Sequence, residues 1–217
     1  MKFFRVFLCS LLASLPVPCV HAAESRELDA RGFDPAGEGV VLIQVNWGRY
    51  WPCGKFENAQ LQALTFSRMP ADSADPPRLA LKAKSTLFVD DTFVGQAYVL
   101  PPGEYALSAY DMKRAASIRD ITHHVPSAAE LLPGGKPVGG TFSIAAGEIV
   151  YVGSFGLDCA IEPMPWRYYK ADHAVFEKFV ADFRKAFPGS ARVPVVFRLF
   201  ETGMFGERYE LEDPVVE

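Results

Sequence analysis

STLFVDDTFVGQAYVLPPGEYALSAYD, residues 85–111, is the stretch that decides the fold class. FVGQAYVL (93–100) and EYALSAYD (104–111) are runs rich in β-branched and aromatic residues, joined by Pro101-Pro102-Gly103. Proline presets φ at the first central position of a tight turn and glycine tolerates positive φ at the next, so the first run predicts a strand ending in a tight turn and the second a strand that returns. Tyr105, Leu107 and Ala109 then share one face, because side chains alternate along a strand. Asp90-Asp91 is a polar break between this pair and an earlier strand.

Upstream, LALKAKSTLFVD (79–90) is long enough for one bent strand or two shorter ones. MPADSADPPR (69–78) has the composition of a loop. LQALTFSR (61–68) alternates apolar and polar positions as a half-exposed strand does, and VVLIQVN (40–46) is a β-branched run that suits a buried strand. Downstream, residues 112–137 carry Lys113-Arg114, the doublet His123-His124 and a Pro-Gly-Gly turn, and predict a long loop or an insertion with a short helix. GTFSIAAGEIVYVGSFGLD (140–158) reads as a hairpin, with strands over 141–145 and 148–155 about a turn at Ala146-Gly147.

One helix is predicted, over about 172–187. Asp172 is a plausible N-cap, Val175, Phe176, Phe179, Val180, Phe183 and Phe187 recur at helical spacing, and Pro188-Gly189 stops it. VPVVFRLF (193–200) adds a last buried strand and GERYELE (206–212) an edge strand. Many short strands with Gly/Pro turns and one amphipathic helix specify a mainly β protein, an antiparallel β-sandwich with the helix packed across a face or an end. Residues 40–212 are expected as a single domain, preceded by a flexible leader (23–39) and followed by a short tail (213–217).

The first 22 residues have the form of a cleaved secretory signal. Lys2 and Arg5 give a positive start, Val6–Leu15 a short apolar core, and Val20-His21-Ala22 small residues where a signal peptidase reads. Ala22 and Ala23 are equally acceptable as the last residue removed. The apolar run is about ten residues against about twenty for a spanning helix, and no later segment is long enough, so no transmembrane segment is expected in the mature chain. Without Lys2 and Arg5 the chain has 20 basic and 26 acidic side chains, net −6. That balance argues against a general nucleic-acid or anionic-membrane footprint, and so against nucleic acid as a partner.

Removing the signal also leaves only Cys53 and Cys159 of four cysteines. In an oxidising compartment a disulfide between them is the default, ahead of free thiols or a metal pair. It would close a loop of about a hundred residues and contribute about 4–5 kcal/mol by chain entropy. Large aromatics flank both: Trp47, Tyr50 and Trp51 before Cys53, and Trp166, Tyr168 and Tyr169 after Cys159. Arg49, Lys55, Asp158 and Arg167 stand nearby as polar handles. Such rings either complete a sandwich core beside a disulfide or form a binding surface for flat or apolar ligands. These six aromatics are the candidate binding residues, and both alternatives remain open at this point.

Catalytic signatures are sparse. Ser154 in Gly153-Ser154-Phe155-Gly156 lacks the spacing of a nucleophile elbow, and phosphate-loop and dinucleotide fingerprints are missing. Asp120, His123 and His124 contain ligand types, but neighbouring side chains on a strand point apart, so they read as a solvated loop doublet. Neither a cofactor nor a metal is implied.

The strand–polar break–strand–turn–strand layout of 85–111, with its Pro-Gly turn and Tyr-containing strand, resembles PEGA-like and DUF2846-like modules of bacterial envelope proteins. AAGEIVYVG (145–153) is similar to the glycine-led strand that follows in the second group. The resemblance implies an immunoglobulin-like or transthyretin-like sandwich, periplasmic or secreted, with no catalytic residue set to carry over. The expected function is therefore that of a non-catalytic exported envelope protein, binding a protein partner or cell-wall component near the disulfide. A purely structural accessory domain is the alternative, and a hydrolase with an unrecognised site the least favoured.

Overall fold

The computed structural model describes residues 25–70, 76–84, 93–168, 173–202 and 204. The signal segment, residues 85–92, Tyr169, the Asp172 cap, the 206–212 strand and the 213–217 tail all lie outside the described residues. The chain runs through β1 (Arg26–Glu27), β2 (Gly39–Asn46), β3 (Arg49–Tyr50), β4 (Asn58–Met69), β5 (Arg78–Lys82) and β6 (Phe93–Leu100). It continues through β7 (Gly103–Ser117), β8 (Asp120–His124), α1 (Ala128–Leu131), β9 (Thr141–Ile144), β10 (Ile149–Asp158), β11 (Met164–Tyr168), α2 (His173–Ala186) and β12 (Val195–Phe197).

Two six-stranded sheets form a β-sandwich. One has the order β1-β6-β2-β10-β11, with β12 also on β10; the other has the order β3-β4-β7-β8, with β5 on β4 and β9 on β7. Most pairings are antiparallel, but β10 runs parallel to both β2 and β12. Parallel neighbours need long crossovers and normally sit where both faces are covered. That is the situation of β2. Val41, Ile43 and Val45 point into the space between the sheets, while Val40 and Leu42 point to the outer face beneath α2. Both faces are buried, which is why 40–46 reads as a continuous apolar run.

The inter-sheet core is strongly aromatic. The Phe66 ring meets Phe142, Phe155 and Phe200 edge-on, with centroids 5.5, 5.8 and 5.6 Å away. Tyr105 stacks on Phe142 and donates its hydroxyl proton to the Pro101 carbonyl at 2.8 Å, pinning the turn between β6 and β7. Burial pushes that hydroxyl's pKa up to about 12. A second core lies outside the first sheet, where Phe176, Val180 and Phe183 of α2 cover Val40, Leu42, Ala97, Val99, Ile149 and Tyr151. The apolar stripe of the helix is spent on this packing.

Four expectations require correction. Residues 140–158 do not form a hairpin: β9 pairs with β7 in one sheet and β10 with β2, β11 and β12 in the other, so the turn at Ala146-Gly147 crosses between the sheets, as the Pro101-Pro102 turn does between β6 and β7. The leader is not wholly loose: Arg26 and Glu27 pair with Val99 and Tyr98, and Leu28 is buried beside them. Residues 112–117 continue β7, and 120–124 form β8 against it, so the long loop shrinks to the stretch around the capped turn of α1. The last strand is only three half-buried residues, beyond which Arg198 and Phe200 still bond the carbonyls of Tyr151 and Val152.

Candidate functional site

Among the described residues, strand directions bring three connections to one end of the sandwich. The C-terminal ends of β2, β7 and β10 arrive there, and β4, β6, β8 and β11 begin there: Asn46 lies opposite Phe93, Asn58 opposite Ala115, Ser117 opposite Asp120 and Asp158 opposite Met164. The connections are residues 47–57, the turn Ile118–Arg119 and residues 159–163.

The first connection carries the chain from one sheet to the other. Asn46 accepts a hydrogen bond from the Gly48 amide at 2.7 Å, and Gln60 donates to the Trp47 carbonyl at 2.8 Å. A disulfide joins Cys53 to Cys159, with Cα atoms 4.5 Å apart. Around it, Cys53 and Phe56 exchange backbone bonds of 3.1 and 3.0 Å, and the Gly54 amide donates to the Cys159 carbonyl at 3.0 Å. Gly54 has φ +56°, and a Cβ there would run into the Ile161 carbonyl. Only glycine suits that conformation and that approach. Lys55 and Glu162 close the staple with an exposed ion pair, and the Lys55 hydrogen bond holds the Glu162 carboxyl below its ordinary pKa.

The candidate aromatics divide. Trp47 is buried with Cys53 in the inter-sheet core. Trp166 and Tyr168 lie on β11, half-buried, and Tyr50 is half-buried with its hydroxyl where a side chain at Gly156 would begin. The Tyr168 hydroxyl donates to the Leu157 carbonyl, and its ring meets Phe93 edge-on at 5.7 Å. Among the described candidates, Trp51 alone stands open, 60 % exposed, with the Arg49 guanidinium 5.5 Å from its ring centroid. Arg167 is no surface handle: it is buried and donates to the Phe200 carbonyl.

The sequence reading overlooked the aliphatic tips. Of nine large apolar side chains exposed among the described residues, six belong to this end: Trp51, Phe93, Val94, Ile118, Ile121 and Ile161. Ile118 and Ile161 are 87 % and 83 % exposed. The signal was visible as lone isoleucines in turn-like surroundings, SIRD (117–120) and CAIEP (159–163). A concentration of this kind marks an interaction surface more often than scattered single residues do.

The polar groups singled out on β10 and β8 are hydrogen-bonded within the fold or packed against it. A bulge at Gly153 (φ +106°) resets the alternation of β10, so Val150, Val152, Phe155 and Leu157 face the inter-sheet core while Ser154 turns outward. Ser154 shares a hydrogen-bonded triangle with Gln44 and Tyr151, with edges of 3.0, 3.0 and 3.1 Å. Neither partner is a base, and burial raises the Tyr151 pKa so its hydroxyl keeps its proton. His123 and His124 lie on a strand and not in a loop. His123 hydrogen-bonds Asp111 at 2.8 Å, whereas His124 sits against the Tyr110 ring. Among the described residues, no group of three or more His, Cys, Asp or Glu could hold a metal ion, and no helix is long and apolar enough to cross a membrane. The chain matches no protein-family model, no curated protein and no solved structure.

Proposed function

We propose that this chain is a non-catalytic exported protein of the bacterial envelope, and that its stapled end is its contact surface for a protein partner or a cell-wall component. The observation that carries the proposal is the gathering of exposed apolar side chains at the end of the sandwich where the disulfide joins residues 47–57 to 159–163. Trp51, Ile118 and Ile161 are far more exposed than Trp or Ile residues with a purely internal role. The disulfide and the secretory form of residues 1–22 support an oxidising location outside the cytoplasm. Rigid connections lose little freedom on docking, so the staple also favours binding.

Affinity capture from envelope extract tests this, with the intact protein compared with a Trp51→Ala/Ile118→Ser/Ile161→Ser variant. Envelope components retained by the first and lost by the second are the expected result. Equal retention by both removes the stapled end as the contact surface.

A further inference from the structure

We infer that the staple is a thiol-exchange site entered at Cys159: a protein dithiol opens and recloses the Cys53–Cys159 bond through a mixed disulfide at Cys159, while the domain stays folded.

The two cysteines are not equivalent. Exchange requires a thiolate to reach one sulfur of the bond from outside and displace the other. Cys53 is wholly buried in the inter-sheet core and offers no surface for that approach. Cys159 lies half-buried at the margin of the same core, and the chain is exposed directly after it, at Ala160 and Ile161. A reagent that reaches the bond of the folded protein therefore reaches it at Cys159.

The surroundings hold both cysteines in place without help from the bond. The Gly54 amide donates to the Cys159 carbonyl at 3.0 Å, and Cys53 and Phe56 exchange backbone hydrogen bonds. Lys55 pairs with Glu162 across the same gap, and the Ala160 amide donates to the Asp158 carboxylate at 3.0 Å. Each segment is also anchored in a sheet. Gln60 holds the Trp47 carbonyl on one side, and Asp158 lies opposite Met164 on the other. Opening the bond removes none of these contacts. The two thiols stay side by side, and reclosure is intramolecular.

In the opening direction, a thiolate of the dithiol attacks Sγ of Cys159. The S–S bond breaks, and its electron pair leaves with Sγ of Cys53, which takes up a proton. The second thiolate of the dithiol then displaces Cys159 from the mixed disulfide, and Cys159 is protonated in turn. The staple is reduced and the dithiol is oxidised to its disulfide. Closure is the same sequence reversed, with the disulfide form of the partner as oxidant.

The test mixes the oxidised protein, without denaturant, with a thioredoxin-type dithiol protein whose second cysteine is replaced by serine, so that the mixed disulfide is trapped. Peptide mapping after acid quenching should place the adduct on Cys159 and leave Cys53 as a free thiol. An adduct on Cys53, or none until urea is added, overturns the inference. Single variants give an independent measure with dithionitrobenzoate. The free Cys159 of Cys53→Ala should react at least about a hundredfold faster than the free Cys53 of Cys159→Ala, because the buried thiol must wait for an opening of the fold. Equal rates, with circular dichroism showing both variants folded, contradict it. The trapping result stands whether or not the variants fold. Finally, amide exchange of the fully reduced protein should retain protection at Gly54, Phe56 and the β4–β7 ladder. Loss of the ladder would mean that the bond opens only with the domain, which also overturns the inference.

Discussion

Glu148 and Arg198 form a two-pronged ion pair, with Nη1 donating to Oε2 at 2.9 Å and Nη2 to Oε1 at 2.7 Å. The pair ties the turn before β10 to the chain leaving β12. Oε2 also accepts the Ala145 amide at 2.9 Å, so the carboxylate organises the turn as well.

The guanidinium, and secondarily the Ala145 amide, hold the Glu148 carboxyl below its ordinary pKa, against the opposing effect of burial. A depressed carboxylate stabilises the fold fully above its unfolded value, and the contribution is lost as pH falls through the folded one. Glu148→Gln should therefore cost about 1 kcal/mol at neutral pH, a figure kept small because Arg198 is partly exposed. Urea unfolding of both proteins checks this: the gap persists at pH 7 and closes as pH drops below 4.5.

The disulfide spans 106 residues of sequence. Cys53→Ala/Cys159→Ala should lower unfolding free energy by about 4 kcal/mol. Denaturant melts of the double variant and the oxidised protein measure the difference, and non-reducing peptide mapping should recover the cross-linked pair.

Gly54→Ala places a methyl group against the Ile161 carbonyl in a left-handed conformation. The combined strain is about 2–4 kcal/mol. Amide hydrogen exchange should show the loss of protection concentrated at Cys53, Gly54 and Phe56, with the β4–β7 ladder retained.

Phe66→Ala removes the ring on which Phe142, Phe155 and Phe200 converge. A cavity in a core that cannot collapse around rigid rings should cost about 3–5 kcal/mol. Thermal or urea unfolding measures it, and a loss under 1 kcal/mol would mean that these rings repack.

Local pattern made much of this fold readable and topology did not. The turn at Pro101-Pro102, the buried run of β2 and the phenylalanine stripe of α2 all follow from periodicity and turn chemistry. β8 was hidden because Asp-Ile-Thr-His-His shows no alternation: it lies at the margin of its sheet, where four of its five residues are exposed. The continuation of β7 was hidden because Arg114 faces inward, laying its guanidinium over the Phe56 ring at 5.2 Å. Nothing local announces that β10 lies parallel to β2, since that pairing joins residues over a hundred positions apart. At the stapled end, cysteine count and compartment were enough to expect the disulfide. Which rings face water was not legible, because Trp47 and Trp51 are four residues apart and differ only in which side of the crossover they leave.

The central claim is that the end bearing Trp51, Ile118 and Ile161 is where this protein meets the envelope. Site-specific photo-crosslinking in growing cells tests it directly, with the photoreactive side chain placed at 51, 118 or 161 and, as references, at Ala80 and Val138. The account predicts protein or cell-wall adducts from the three tip positions and none above background from the two references. Adducts from Ala80 or Val138, with the tips silent, would contradict it.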